Sequence, residues 1–374
     1  MTPLDRGLGS LFSDPSSDAA RQAFRARPRA ATDKLMTVSE AVTRFIHDGD
    51  YLAVGGFGVN RIPTAIVHEI LRQQRQNLRF AGHTSTHDFQ LLCAGNLMGR
   101  GKLLAAVDAA YVVGLEARGL SPHARRVMES GELAITEWSN YTLALRFKAA
   151  AMGVPFVPAR SLLGTDTFTR SAAVVVPCPF TGEKLAAIPA LYPDVAAIHV
   201  HEADRTGNAR FSGTSVADIE VARAAKRVIL TCERLVPEDE MRRDPARTAI
   251  PYFLVDAVCE VPFGSYPGNM PGEYFSDEAH LRSWLEVEAD LDRGFVDGEA
   301  GLAVLTAREV LGTRAASGGN GPALAASAFE SEDLQEGDLV VHREHGLARL
   351  VGLEPAPEAA GGEAIRLAFA EGES

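Results

Sequence analysis

The chain has 374 residues, of which 46% are hydrophobic and 23% charged, so it is long enough to bury a sizeable core in one large domain or several smaller ones. Its formal net charge of −12 argues against a general role at nucleic acids or membrane surfaces, which are polyanions that such a surface repels. The four cysteines show no metal-ligand spacing, and no membrane-length apolar run or signal peptide is visible, so we expect a cytoplasmic protein without a disulfide framework.

The N-terminal segment, residues 1–33, is rich in Arg, Ala, Ser and Asp and shows no hydrophobic periodicity. This composition predicts a flexible extension. Order is expected to begin near Lys34. Thr37 and Glu40 stand at the spacing of a capping box, and apolar residues follow at helical spacing. The pattern predicts a helix that ends near Gly49.

Short apolar runs alternate with loops and helical patterns through the next two hundred or so residues. The strand candidates are residues 51–54, 78–81, 103–107, 154–157, 195–200, 227–231 and 257–261. Repeated βα units predict an α/β fold, a mostly parallel open sheet with flanking helices. Ligands of such sheets bind at the carboxyl ends of the strands, so the loops after strands are the expected site.

The alternation stops near Asp290. Residues 314–322 have the composition of a flexible linker, and 337–342 and 347–353 are short β-rich segments around a turn. This change of architecture predicts a short β-rich C-terminal tail. The predicted domains are an α/β domain at 34–290, a connecting segment at 291–330 and a small β module at 331–374.

A loop rich in glycine, Gly55, Gly56, Phe57 and Gly58, lies between a predicted buried strand and a helix that opens at Pro63. Glycines let backbone N–H groups approach a ligand, and a helix N-terminus favours anionic oxygen. The loop has neither the Gly-x-Gly-x-x-Gly spacing of dinucleotide sites nor the Gly-Lys-Ser/Thr of a phosphate loop. Taken alone, a tight turn that binds nothing explains it equally well. We call residues 55–58 the glycine loop.

Several sequence blocks occur together in the order seen in one protein family. They are 33–34, 55–57 with Arg61 and Pro63, 149–158, 194–199 with 203–208, 224–226 with 231–233, and 255–258 with 261–264. On these blocks, residues 34–290 resemble the A subunit of the family I coenzyme A (CoA) transferases, and that of glutaconate CoA-transferase in particular. The resemblance implies the NagB/RpiA-like α/β fold of that family.

The resemblance also implies a reaction. A glutamate carboxylate attacks an acyl-CoA thioester, forms a glutamyl-CoA thioester and passes CoA to a carboxylic acid. In glutaconate-type enzymes this glutamate belongs to a Ser-Glu-Asn-Gly-type motif of the B subunit, and this chain has no such motif. We therefore expect no catalytic nucleophile here and a hetero-oligomer with a B subunit, α2β2 or larger. The expected substrates are an acyl-CoA thioester and a carboxylic acid, with no permanently bound cofactor.

By the same resemblance the glycine loop lines the active site, where its amides could hold a developing oxyanion. The substrate-facing candidates are Arg61, Ser85, His87, Asp88 and Glu116. For each loop residue a self-satisfied polar group is the alternative, and for Glu116 a solvated surface carboxylate. His199 and His201 alternate along a strand, but nothing nearby completes a ligand set, so no metal is predicted.

A hydrolase is the alternative enzyme. Some members of the fold family are hydrolases that open a ring in steroid breakdown, and the resemblance places an acid in them shortly before the block at 149–153. This chain has Asn140 at that point, with Glu137 three residues earlier. The neutral side chain favours a transferase.

Residues from about 291 resemble a different protein, the bacterial transcription-repair coupling factor. The similar segment leads into its CarD-like module, which interacts with RNA polymerase. Where that family continues with another strand this chain stops, which would leave an unpaired sheet edge. The tail therefore raises an alternative of another class, a transcription-associated protein that binds RNA polymerase.

Overall fold

The computed structural model describes residues 5–96, 102–112, 121–290, 295–297, 302–304, 339–342, 346–355 and 363–369. Glu116 and the predicted linker at 314–322 lie outside these residues. The chain divides into two compact units, the first formed by 1–93 with 103–282 and the second by 94–102 with 283–374. In the part of the chain that the structure describes, no helix combines the length and apolar character needed to cross a membrane.

The strands of the first unit are β1 (Tyr51–Val54), β2 (Leu78–Ala81), β3 (Leu104–Ala109), β4 (Ala134–Glu137), β5 (Phe156–Ala159), β6 (Val174–Pro177), β7 (Lys184–Pro189), β8 (Val195–Ala203), β9 (Ala209–Arg210), β10 (Arg227–Leu235) and β11 (Ala257–Glu260). Eight of them form the main sheet, in the order β11-β10-β8-β1-β2-β3-β4 with β9 beside β8. Every neighbouring pair along that path is parallel. The predicted α/β fold with a mostly parallel open sheet is confirmed.

The helices are α1 (Ser17–Ala26), α2 (Val38–Phe45), α3 (Thr64–Arg72), α4 (His87–Gly95), α5 (Pro122–Glu129), α6 (Asn140–Met152), α7 (Asp166–Arg170), α8 (Asp218–Ala224), α9 (Glu238–Arg243) and α10 (Glu278–Asp290). The capping box predicted for α2 is present: the Glu40 amide donates to Thr37 Oγ1 at 3.2 Å, and Glu40 Oε2 accepts from the Thr37 amide at 2.9 Å. Helix α6 begins at the N-cap Ser139 and ends at Gly153, whose left-handed backbone closes the helix.

One predicted strand belongs elsewhere. The apolar run at 154–157 predicts a strand of the parallel sheet, but Phe156–Ala159 lies in a separate three-stranded antiparallel sheet of order β5-β7-β6. An apolar run indicates that a strand is buried but carries no information about which strand it pairs with.

A charged network is buried inside the first unit. Arg146 of α6 and Asp108 of β3 form an ion pair at 2.6 Å with neither side chain exposed. Trp138 Nε1 donates to Asp108 at 2.5 Å, and the Tyr51 hydroxyl donates to the same carboxylate. Burial raises the pKa of Asp108, and Arg146 opposes that shift. The network joins β1, β3 and α6 around one buried charge.

The N-terminal segment is packed, so the prediction of a flexible extension was wrong for residues 5–33. The amides of Gly7, Leu8 and Gly9 donate to carbonyls near α7 at 2.7–2.9 Å, and α1 follows. A Cβ at Gly7 would lie 2.1 Å from the Ser171 carbonyl oxygen, so the close approach needs glycine. Composition predicted disorder because it does not register backbone pairing with residues that are distant in sequence.

The second unit contains a five-stranded sheet of order β12-β13-β14-β15-β16. Its strands are β12 (Phe295–Asp297), β13 (Leu302–Val304), β14 (Leu339–His342), β15 (Gly346–Pro355) and β16 (Glu363–Phe369). β15 pairs antiparallel with both β14 and β16. The β-rich character predicted for the tail is confirmed, while the predicted boundary at residue 290 stays a prediction.

Candidate functional site

The glycine loop lies where the order of the parallel sheet changes direction. Strands β1 to β4 run outward on one side of the loop, and β8, β10 and β11 on the other, so the change falls between β1 and β8. At such a point the loops that leave the carboxyl ends of adjacent strands diverge and open a crevice for a ligand. The glycine loop leaves the carboxyl end of β1 directly at that crevice.

All four amides of the glycine loop donate within the chain. Gly55 donates to the Ala197 carbonyl at 2.9 Å, Phe57 to the Asn60 carbonyl at 3.0 Å and Gly58 to the His83 carbonyl at 3.4 Å. The Gly56 amide donates to the Asp218 carboxylate at 2.8 Å. The predicted oxyanion role therefore requires a loop amide to exchange its present acceptor, most easily Gly58, whose hydrogen bond is the longest.

Glycine at position 56 is required by sterics. Its φ is +86°, a conformation that L side chains rarely adopt, and a Cβ there would lie 2.4 Å from the Asn60 carbonyl oxygen. At Gly55 a Cβ would lie 2.8 Å from Asp218 Oδ1. The glycines thus allow the loop to fold onto itself and onto Asp218, which is a structural reason for their presence.

Arg61, predicted to face substrate, is buried against Asp218. Its Nη1 donates to Asp218 Oδ1 and its Nη2 to Oδ2, both at 2.9 Å, and Nη2 also donates to the Thr214 carbonyl at 2.6 Å. Burial by itself would raise the pKa of Asp218, but the Arg61 guanidinium outweighs that effect and the pKa is lowered. In this chain Arg61 holds the glycine loop to α8 and presents no group to solvent.

The loop after β2, residues 82–86, lies against the glycine loop. Thr86 Oγ1 donates to the Gly58 carbonyl at 3.1 Å. Ser85 and both flanking residues are buried, and Ser85 Oγ has no hydrogen-bond partner among the described residues. The same holds for both ring nitrogens of His83, and burial lowers the pKa of that imidazole to about 4. Two buried polar groups without partners mark a place prepared for a ligand or ordered water.

His87 and Asp88 are also buried, each with 1% of its surface exposed. Burial raises the pKa of Asp88 to about 6, although Asp88 Oδ1 accepts the Thr86 amide at 2.8 Å. Burial lowers the pKa of His87 to about 3, and its ring lies 5.8 Å from that of His280. These two side chains begin α4 in the interior, so their role as substrate-facing groups stays a prediction.

Asn140 joins this region from the first turn of α6. Its Nδ2 donates to Thr84 Oγ1 at 3.0 Å, and its Oδ1 is buried without a partner among the described residues. Thr84 has φ +48°, which is unusual for a β-branched residue, and such strain often accompanies functional sites. Glu137, the other acid considered for this place, pairs with Arg170 at 2.7 Å instead.

Comparison with known proteins identifies the family. The sequence matches the family described as Coenzyme A transferase over residues 35–261. The chain belongs to the coenzyme A transferase family.

Among its relatives are two named A subunits. The chain is 33% identical to the A subunit of glutaconate CoA-transferase of Acidaminococcus fermentans, over 68% of this chain and 83% of that one. It is 36% identical to the A subunit of 3-oxoadipate CoA-transferase of Pseudomonas knackmussii, over 69% and 89%. The crystal structure of the Acidaminococcus glutaconate CoA-transferase superposes with a TM-score of 0.63 and 32% identity, covering 68% of this chain and 84% of that one.

A further relative is longer than this chain. An uncharacterized protein of Archaeoglobus fulgidus is 50% identical over 284 residues, which are 75% of this chain and 62% of the archaeal one. The chain thus spans less than two thirds of that protein. The family match ends at residue 261, so the CarD-like resemblance of the tail stays a prediction.

In this member of the coenzyme A transferase family, sequence reasoning missed a second cluster on β8 and β10. His199 Nε2 lies 2.7 Å from Glu233 Oε1, and Nδ1 lies 2.8 Å from Thr231 Oγ1. The Tyr274 hydroxyl donates to Glu233 at 2.6 Å, and the Phe263 amide donates at 2.7 Å. Burial would raise the pKa of Glu233, but these hydrogen bonds outweigh it and the pKa is lowered. The signals in the sequence were His199 on its strand and the block at 231–233, and neither indicated that the two would meet.

The cluster supports residues 263–274, which pack against residues 59–61 directly after the glycine loop. The Asn269 carbonyl accepts the Arg61 amide at 2.9 Å, and the Asn269 amide donates to the Val59 carbonyl at 2.8 Å. His201 Nε2 contacts the Pro271 carbonyl at 2.8 Å. Across the described residues no group of three or more His, Cys, Asp or Glu side chains is arranged to hold a metal ion. His199 and His201 are each engaged by protein groups, as their hydrogen bonds show.

Proposed function

We propose that this chain is the A subunit of a CoA-transferase that moves CoA from an acyl-CoA thioester to a carboxylic acid. The covalent glutamyl-CoA intermediate would form on a glutamate of a partner B subunit. The observation that carries the proposal is the relationship to two A subunits of CoA-transferases at 33% and 36% identity over most of their lengths. A glycine loop at the switch point of the parallel sheet is consistent with it.

In this proposal the chain binds and orients, and the partner supplies the nucleophile. The buried imidazole of His83 is neutral at physiological pH, since burial lowers its pKa to about 4. A neutral imidazole can donate one hydrogen bond without adding a charge, and the Ser85 hydroxyl can donate a second. Together they would suit the oxygen of a thioester or of an acyl carboxylate.

Asn140 supports transfer over hydrolysis. In the hydrolase hypothesis an acid at this place would activate water as the general base for hydrolysis of the thioester, a role that a carboxylate can fill. An amide cannot take a proton at neutral pH. Asn140 lies beside Thr84 with its Oδ1 buried, whereas Glu137 is 2.7 Å from Arg170 and engaged there. The ring-opening hydrolase is therefore the weaker hypothesis.

The test follows CoA exchange from succinyl-CoA or glutaryl-CoA to a panel of free acids, with the chain alone and co-expressed with a B-type subunit. We expect exchange only with the partner, and a hydroxylamine-sensitive acyl-enzyme on that partner. Hydrolysis of a cyclic CoA thioester without exchange would replace the proposal by the hydrolase. Co-purification with RNA polymerase and no reaction of CoA thioesters would favour the transcription-associated alternative.

A pair of variants tests the site. Asn140→Ala removes the hydrogen bond to Thr84, and we expect the exchange rate to fall by about tenfold or more, as for the loss of one positioning contact. The control is Lys148→Ala, because Lys148 is an exposed residue of the same helix. Equal CoA-exchange rates in the two variants would show that Asn140 does not contribute to the site.

A further inference from the structure

A cleft of about 410 Å³ lies away from the glycine loop, beside the chain that follows α1. One wall is the N-terminal segment, and the other is the end of α8 with the turn at Tyr252–Leu254. The residues that carry the argument are Phe24, Arg27, Arg29, Arg223, Tyr252 and Phe253. The volume falls in the range of small-molecule sites, about 300–1,000 Å³. None of the residues described above at the glycine loop lines this cleft.

Arg27 has a structural role in the cleft, because protein groups engage its guanidinium. Its guanidinium donates to the Leu254 carbonyl and to the Asp256 carboxylate, and only 9% of its side chain is exposed. Asp256 also accepts the Val228 amide at 2.8 Å. The pairing neutralises Asp256 and fixes the Tyr252–Leu254 turn to the N-terminal segment.

Two further arginines remain available. Arg29 and Arg223 are exposed, and neither side chain makes an ion pair or hydrogen bond with any residue the structure describes. Lys34 adds a positive charge at the Tyr252–Leu254 turn, with its Nζ donating to the Tyr252 carbonyl at 2.7 Å. Such a concentration of cationic groups is unusual on a protein with a net charge of −12, so it creates a local field that attracts anions.

An aromatic surface adjoins these charges. The rings of Tyr252 and Phe253 lie 5.7 Å apart in a T-shaped arrangement, and 45% of Phe253 is exposed. Exposed aromatic faces bind the faces of planar ligands, and guanidinium groups bind phosphate through two parallel hydrogen bonds. The cleft thus offers an anion contact and a stacking contact side by side.

We infer that this cleft binds a nucleoside phosphate, with the phosphates on Arg29 and Arg223 and the base against Phe253. The site would be separate from the proposed reaction centre, and the inference does not depend on the proposed function. A bound nucleotide would also join the N-terminal segment to the α8 side of the unit, which would stabilise the packing of that segment.

The experiment measures binding of ADP, inorganic pyrophosphate and adenosine to the full chain by titration calorimetry. The variants are Arg29→Gln with Arg223→Gln, and Phe253→Ala. The control is Arg160→Gln with Arg247→Gln, two exposed arginines outside the cleft that remove the same charge. Thermal unfolding of every variant shows that it is folded.

We expect the natural chain to bind ADP more tightly than pyrophosphate or adenosine. The double arginine variant should bind both ADP and pyrophosphate at least about tenfold more weakly, as for the loss of charge-assisted hydrogen bonds. Phe253→Ala should lower the affinity for ADP and leave the affinity for pyrophosphate unchanged. The control variant should bind both ligands as the natural chain does. Absence of ADP binding, or ADP binding that survives unchanged in both cleft variants, would overturn the inference. The second result would place the nucleotide at another site, such as one that takes the ADP part of CoA.

Discussion

Arg61 and Asp218 are 157 residues apart and form a two-pronged ion pair with both hydrogen bonds at 2.9 Å and neither side chain exposed. The same carboxylate accepts the Gly56 amide, so one buried charge holds the glycine loop, the start of α3 and the start of α8 in register. The loop geometry at the switch point of the sheet therefore depends on this pair.

Removing Asp218 should be strongly destabilising. Asp218→Ala leaves the Arg61 guanidinium buried without a countercharge, and we expect the free energy of unfolding to fall by about 3–5 kcal/mol. Urea denaturation measures it. The control is Asp33→Ala, which breaks the exposed pair with Arg205, and its denaturation midpoint should stay close to that of the natural chain. Equal losses in the two variants would show that burial of the pair is not decisive.

Glycine at position 56 should be irreplaceable, and position 49 provides the comparison. Both residues have positive φ, but a Cβ at Gly56 would lie 2.4 Å from a carbonyl oxygen while a Cβ at Gly49 would meet nothing within 4 Å. Gly49→Ala should cost about 1–2 kcal/mol, the strain of the left-handed backbone alone. Gly56→Ala should cost about 2–5 kcal/mol, because steric overlap adds to that strain. Chemical denaturation of both variants would refute the steric argument if the two losses were equal.

Asp88 should give the protein a characteristic pH dependence. Burial raises the pKa of its carboxyl from 3.8 to about 6, so the folded chain holds this proton more tightly than the unfolded chain. The stability from this group is therefore fully present below about pH 4 and is lost as the pH rises to about 6.

The Asp88→Asn variant has no titratable group at this position, so it does not lose this stability as the pH rises. The unfolding free energy of the variant relative to the natural chain should increase by about 3 kcal/mol between pH 4 and pH 7, since a shift of about two units is worth about 1.4 kcal/mol per unit. Urea titrations across that range give the difference, and Asp166→Asn at an exposed position is the control. A difference that does not change with pH would show that Asp88 is not buried as an acid.

Glu233 should control the order of residues 263–274, the segment that packs against residues 59–61. Glu233→Gln replaces one of two acceptor oxygens with a donor, so the acceptors for His199, Tyr274 and the Phe263 amide cannot all be retained. We expect hydrogen exchange at the Phe263 amide to accelerate by about tenfold or more. Glu260→Gln, which affects the Leu235 amide, should leave Phe263 unchanged. Unchanged protection of Phe263 in Glu233→Gln would contradict the role of the cluster.

The sequence by itself determined the local features and the family. Helix α2 begins at its capping box because Thr37 and Glu40 are three residues apart and act within one turn. Buried parallel strands were visible as short apolar runs, and the alternation with helices was enough to predict the α/β sheet. The ordered blocks of similarity were enough to identify the family, including residues such as Glu233 whose contacts they did not reveal.

Only the tertiary structure decided how distant residues meet. It paired Arg61 with Asp218, directed the amides of the glycine loop to acceptors in the chain, ordered residues 5–33 and moved Phe156–Ala159 to a separate sheet. These outcomes depend on which groups packing brings together, and the same side chain can face a ligand or a neighbouring carboxylate without any change in local pattern. Periodicity and propensity act over a few residues, whereas burial and charge pairing are set by the whole fold.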